Sequence, residues 1–305
     1  MCVCVWRTSG SHEAQGTEAE PEGLAKQLAS LGGPEGKSLK QRGRQSKLLE
    51  LNGNDGEGPF HQQVPRADIH YCFECLLRSV CATKIGEDNR LPVWKHSRIY
   101  HMTEASNWTS IRHHGLLSTS RLLNLAGLDG DERYDLERRQ RLRARRLSNG
   151  AVIRDQLPVS PAALERCLAS GLVPEDWYVE LNRRVFFWLD PRRLNRQRRA
   201  CGSSPQIVLI VDAHCLLSRY ARRAALTPIN TGNARRSPAR RGRETFIPFD
   251  KWRESGWSWE AAALQTPLRS PSHPPVELAI ADGVEDVLDF VVDVRRLDAG
   301  EYFLL

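Results

Sequence analysis

Nowhere in the 305 residues is there a run of the roughly eighteen apolar residues that a membrane span requires. The longest candidates are strand-length, Ile207 to Val211 and Val291 to Val294, so a membrane partner is not expected. The opening Met-Cys-Val-Cys-Val-Trp-Arg lacks the apolar core of a signal peptide, so export is unsupported and the cytoplasm is the expected compartment. Cysteine is scarce and scattered, with eight residues at 2, 4, 72, 75, 81, 167, 201 and 215, which excludes a disulfide scaffold and fits a reducing compartment. Also missing is a second ligand pair for zinc. Cys72-Phe-Glu-Cys75 has the gap of a zinc half-site, but only Cys81 and His70 lie nearby, so no metal is expected. The pair reads instead as small apolar residues on a helix from Tyr71 to Cys81. Negative charge is in deficit, 37 acidic against 44 basic residues for a net +7, which favours an anionic partner.

What is present is enough for a core, since 40% of the residues are hydrophobic. They are unevenly spread. Residues 1–66, rich in Gly, Glu, Gln, Ser and Lys, read as a disordered extension, and 67–97 as a helical bridge and linker. A domain is expected over 98–296, with 297–305 as a tail. Within it, helices are predicted at Glu104 to His114 with Ser106 as N-cap, Asp129 to Arg146, Ser160 to Ser170, and Trp177 to Asn182. Strands are predicted at Arg184 to Leu189, Ile207 to Asp212, Thr245 to Pro248, Val276 to Ile280 and Phe290 to Arg295, giving a mixed α+β class.

The chemistry-bearing residues fall in separate blocks. Ile99 and Tyr100 read as the end of a buried strand, with His101 and Thr103 projecting from it and Met102 between them. The helix behind ends at Gly115, well placed as a left-handed stop. Arg184-Val-Phe-Phe-Trp-Leu-Asp-Pro-Arg192 follows, its aromatics reading as core and its arginines as candidates for phosphate contact. Asn230 and Thr231 sit in a turn-rich basic loop that continues through Arg243 and Glu244, although Glu244 reads better as an ion-pair partner for the arginines around it. Glu277, flanked by Val276 and Leu278, points to the opposite strand face from both, and so faces either solvent or a cleft.

Tyr-His-Met-Thr followed by Ile111-x-x-x-Gly-Leu-Leu resembles the entry to the ADP-ribosyltransferase fold of the DarT type. With the Arg-Val-Phe-Phe-Trp and Pro-Ile-Asn-Thr-Gly blocks, the chain also looks like a member of an uncharacterised bacterial domain family sharing these signatures. The resemblance covers residues 98–296 and implies an ADP-ribosyltransferase-like fold of two small packed mixed or antiparallel sheets with flanking helices. It implies NAD as substrate, with transfer of ADP-ribose to a nucleic-acid base or a protein side chain. The carried-over roles are Glu277 and Arg192 in catalysis, His101, Met102, Thr103 and Arg184 on the NAD side, and Asn230, Thr231, Arg243 and Glu244 in a substrate loop. Arg184 and Arg193 are rivals of Arg192, because one extra residue separates the aromatic triplet from Pro191.

Arginines concentrated at 133–154, 183–199 and 219–243 suit DNA or RNA as the acceptor. Two other readings stay open. The fold resemblance also admits an RNA 2′-phosphotransferase, which dispenses with the glutamate, and a catalytically inactive basic module that binds nucleic acid or a partner.

Overall fold

The structure is a computed structural model and describes residues 94–235 and 237–304. The expectations for residues 1–66, for the bridge as far as 93 and for Cys72, Cys75 and Cys81 lie outside the described residues.

In chain order the elements are β1 (Arg98–Glu104), α1 (Trp108–His114), β2 (Leu116–Leu117), α2 (Thr119–Leu125), α3 (Gly130–Arg138), β3 (Arg145–Arg146) and β4 (Val152–Ile153). Then come α4 (Pro161–Glu165), α5 (Pro174–Asn182), β5 (Arg184–Trp188), α6 (Pro191–Ala200), β6 (Gln206–Asp212), α7 (Ala213–Tyr220) and β7 (Ala224–Thr227). The chain finishes with β8 (Ile247–Pro248), α8 (Phe249–Ser255), α9 (Ser258–Leu264), β9 (Glu277–Ala281), β10 (Gly283–Val284) and β11 (Val291–Leu297).

The expected α+β class holds, but the two small packed sheets give way to one seven-stranded sheet of order β11-β6-β1-β5-β9-β7-β8, antiparallel throughout. Two-stranded pairs β2/β10 and β3/β4 accompany it. One ladder wins because β5 carries apolar side chains on both faces, so it can be buried only inside a sheet covered on both sides. Ile99, Phe187, Leu209, Leu278 and Ile280 pack on one face with α1, α7 and α8. Tyr100, Met102, Trp188 and Val208 pack on the other with Leu194 of α6, and beside them Phe186 and Ala279 meet Trp177 and Tyr178 of α5.

Several predicted elements change extent. The helix expected from Glu104 begins one residue later, because β1 continues through Glu104, and opens as a 3-10 turn over Ala105–Asn107 before becoming α-helical at Trp108. Asn107, not Ser106, is the N-cap of the α-helix and makes no side-chain capping bond. Asn107 is otherwise engaged, donating to Thr103 Oγ1 and Val152 O and accepting from the Val152 amide. The helix expected over 129–146 ends at Arg138. Arg141 turns inward there to hydrogen-bond the carbonyls of Leu136 and Arg154 and the side chain of Asn182, and β3 and β4 then form a hairpin. The strand expected at Thr245 is a 3-10 turn over Arg243–Thr245, and pairing begins at Ile247.

Gly115 takes φ +73°, as expected of the residue that stops α1. Space decides its identity as well: a Cβ there would lie 2.1 Å from the Glu285 carbonyl oxygen, because β2 pairs with β10 at this point.

Candidate active site

Glu277 opens β9 and is 4% exposed. Its position follows from the ladder. Trp188 faces Glu277 on one side and Thr227 faces it on the other, so three strands bring their side chains to one spot on one face of the sheet. Thr227 Oγ1 donates to Glu277 Oε2 at 3.1 Å. The loop after β7 then folds back, and the Thr231 amide and hydroxyl donate to the same oxygen at 3.1 and 2.8 Å. No hydrogen-bond donor among the described residues reaches Oε1. Burial pushes this carboxyl up to about 7, against the opposing pull of the three hydrogen bonds and the nearby positive charge of Arg193.

Supporting groups surround it. Arg241, 2% exposed, places its guanidinium 5.5 Å from the centre of the Trp177 ring and donates to the Thr231 carbonyl at 3.3 Å. Its backbone is pinned to the segment after α4, with Arg241 N donating to Cys167 O and Ala169 N to Arg241 O. Burial lowers its pKa, and the charge of Glu277 opposes that drop. His273 Nε2 donates to the Pro228 carbonyl at 2.9 Å, anchoring the start of the same loop. Trp188 Nε1 donates to Gln197 Oε1 at 2.5 Å, fixing the aromatic beside Glu277 to α6.

The expected site residues are only partly brought together. Thr231 is joined to Glu277, and its neighbour Asn230 has a buried Oδ1 with no hydrogen-bond partner. Arg192 is 87% exposed and turns back to Asp190, the N-cap of α6; the charge of Arg193, named as its rival, acts on Glu277, as does that of Arg241. Arg184 and Arg243 both pair with Glu180 of α5, at 2.6 and 3.5 Å, and Arg184 also lies over the Phe246 ring. Glu244 makes no ion pair among the described residues.

His101 lies elsewhere. The row Tyr100–Trp188–Glu277–Thr227 puts Glu277 on the face that carries Tyr100 and Met102, and strand alternation sends His101 and Thr103 to the other face. There His101, 4% exposed, donates from Nδ1 to the Phe186 carbonyl at 2.9 Å and packs edge-on against Phe187. With Thr103, Asn107, Ile111 and Gly115 it lines a cavity of about 30 Å³, room for a water. β1 and β5 are ladder-paired at the Tyr100–Trp188 row alone, and the His101 hydrogen bond to Phe186 joins the two strands beyond it. Met102 is buried with Tyr100 and Trp188 in the core of its face.

Thr227, Arg241 and His273 went unassigned in the sequence. Only Thr227 left a signal, two residues before a turn and 50 before Glu277; Arg241 is one of several neighbouring arginines, and nothing in the string marks the buried one. Among the described residues no group of three or more His, Cys, Asp or Glu side chains could hold a metal ion, and no helix is long and apolar enough to cross a membrane.

Residues 97–291 match the model of a family of unknown function, DUF7002. Comparison with curated proteins gives no match.

Proposed function

We propose that this chain, which belongs to the DUF7002 family, is an NAD-dependent ADP-ribosyltransferase whose reacting centre is Glu277. One observation carries the reading: a buried carboxyl with Oε2 held by three donors and Oε1 left without one, on which the positive charge of Arg193 acts. When the bond between nicotinamide and ribose C1 breaks, the nitrogen keeps the electron pair and positive charge develops on C1 and the ring oxygen. A carboxylate fixed by one oxygen presents the other to that charge without reorganising. The acceptor nucleophile then bonds to C1 and loses its proton, which Oε1 can take. Arg193 suits a phosphate of the dinucleotide. The resemblance of Val276-Glu277-Leu278-Ala-Ile to the late strand of DarT-type enzymes supports the same choice.

In this reading the centre lies between the first turn of α6 and the loop from Pro228 to Thr231. His101 joins β1 to β5 on the other face, and the roles implied for His101 and Thr103 on the NAD side are not part of the proposal. Nucleic acid is the favoured acceptor, because exposed Arg192, Arg196 and Arg199 form one stripe on α6, which contains no acidic residue.

The test is nicotinamide release from labelled NAD by the full chain, with DNA, RNA and protein supplied as acceptors. Release with label transferred to an acceptor, and its loss in Glu277→Gln, is the expected result. Absence of release with every acceptor across about pH 6 to 9 overturns the reading. Nicotinamide release that survives Glu277→Gln, requires an RNA carrying a 2′-phosphate and ends with that phosphate on ADP-ribose and no label on the acceptor moves the reaction to the phosphotransferase class.

A further inference from the structure

β11 is the outer strand of the sheet, bonded on one side to β6 and, among the described residues, to nothing on the other. An outer strand presents a row of amides and carbonyls ready for another strand. Here one of those amides has already drawn in an acceptor: Val294 N–H donates to Asp293 Oδ1 at 2.8 Å, so it is turned away from β6. Asp293 Oδ2 in turn takes Arg295 Nε at 2.6 Å.

The strand reads Val291-Val-Asp-Val-Arg-Arg-Leu297, and its charges mirror each other about Val294. Laid antiparallel on a second copy of itself with the two-fold axis at Val294, Val294 meets Val294, and each Asp293 meets the other copy's Arg295. Beyond these rows the bulge at Val292 breaks the alternation, so Val292 comes near the other copy's Arg296, while Val291 and Leu297 lie on opposite faces and do not meet. We propose that β11 is a homodimer interface, joining two copies of this chain edge to edge into one continuous antiparallel sheet.

A single-sign edge would repel its own copy; this one offers two opposite-charge rows flanking an apolar row. On pairing, Asp293 releases the Val294 amide to the Val294 carbonyl of the second copy, and the existing Asp293–Arg295 pair becomes a four-membered set across the axis. Val292 is 49% exposed beside the bulge between Val291 and Asp293, and the aliphatic stem of the second copy's Arg296 would cover it. Leu288, Tyr302 and Leu304, also large and exposed, lie just before and just after the strand, where an antiparallel arrangement brings the start of one β11 to the end of the other.

The experiment is sedimentation equilibrium of the full chain from about 1 to about 300 µM, a range that captures weak, small interfaces. Asp293→Arg and Arg295→Asp are compared alone, as a 1:1 mixture, and combined in one chain. Wild type should dimerise with concentration, and each single variant should associate at least about tenfold more weakly, because like charges then meet across the axis. The mixture, in which an all-basic edge meets an all-acidic one, should restore the dimer, as should the combined variant; that rescue also shows that the single variants fold. A wild type monomeric throughout the range, single variants that dimerise as wild type does, or a mixture that stays monomeric would each overturn the proposal.

Discussion

A carboxyl pushed up to about 7 by burial would tie the proposed activity and the stability of the fold to the same proton. Glu277 binds its proton below about pH 7 in the folded chain, whereas in the unfolded chain it is ionised above about 4.5. The folded state therefore holds one more proton between those values, and stability falls as pH rises through that window, by on the order of 3 kcal/mol from this group. Glu277→Gln keeps an oxygen for Thr227 and Thr231 but cannot ionise. The wild-type minus variant difference in unfolding free energy, measured by urea denaturation from about pH 4 to pH 8, should fall across the window and flatten above it. A difference that does not change with pH would mean that the carboxyl does not titrate there. Nicotinamide release should run the opposite way and rise through about pH 7, because the reaction needs the carboxylate.

Arg241 belongs to the same scale. Its guanidinium steadies the Thr231 carbonyl and supplies a buried positive charge to a site that must hold a negative one. Arg241→Met keeps much of the packing against Trp177 and removes the cation, so the pH midpoint of the Glu277 effect should move upward. Arg241→Lys should move it less, and an unchanged midpoint would leave Arg241 a purely structural residue. None of this was legible in the sequence: Glu277 could be picked out as a strand glutamate in a suggestive block, but its burial depends on a loop that closes 46 residues before it.

At the scale of elements, the string was most readable where capping chemistry is local. Ser160 ahead of Pro161 marked the start of α4, and the Ser160 hydroxyl does accept from the Ala163 amide at 3.2 Å. Asp190 ahead of Pro191 is the same signature, yet no helix is predicted over the arginine-rich stretch behind it, which the structure makes α6. The hydrophobic pattern of α6 is thin, because Leu194 is its one large apolar residue and the buried stripe is completed by Gln197 and Arg198, both polar. Asp190 Oδ1 accepts from the Arg192 amide at 2.8 Å, and Arg192 bonds back to the same carboxylate. Arg192 thereby serves the start of its own helix, while the charge of Arg193 acts on Glu277. Asp190→Ala should cost about 1 kcal/mol of stability by chemical denaturation. It should also weaken nicotinamide release, because the first turn of α6 carries Arg193. A stability loss with release unchanged would separate Arg193 from the reaction.

For the molecule as a whole, the five strands expected after residue 183 lie within a residue or two of their places. However, β7 was not foreseen, β1 runs four residues past its expected end at Tyr100, and the strand order was not legible. Pairing Trp188 with both Tyr100 and Glu277 is a long-range decision, and it alone determines that Glu277 shares a face with Tyr100 and not with His101. Charge, by contrast, is a whole-chain property that the sequence states directly, at net +7. What the fold adds is where that charge is spent. Arg141 and Arg241 are buried on carbonyls and an amide, and Arg184 and Arg243 are held by Glu180. Arg192, Arg196 and Arg199 stand exposed on α6, the helix whose first turn flanks Glu277. If that stripe carries a nucleic-acid acceptor, binding of a single-stranded oligonucleotide should weaken linearly on a plot of log K against log salt concentration. Replacing all three arginines by glutamine should reduce that slope by about 2, since each lost phosphate contact on a single strand removes about 0.7. The same triple replacement should leave the Glu277-linked pH dependence of stability in place, because none of the three contacts that carboxylate. An unchanged slope would assign the polyanion affinity to another of the arginine groups, and with it the path that an acceptor takes to Glu277.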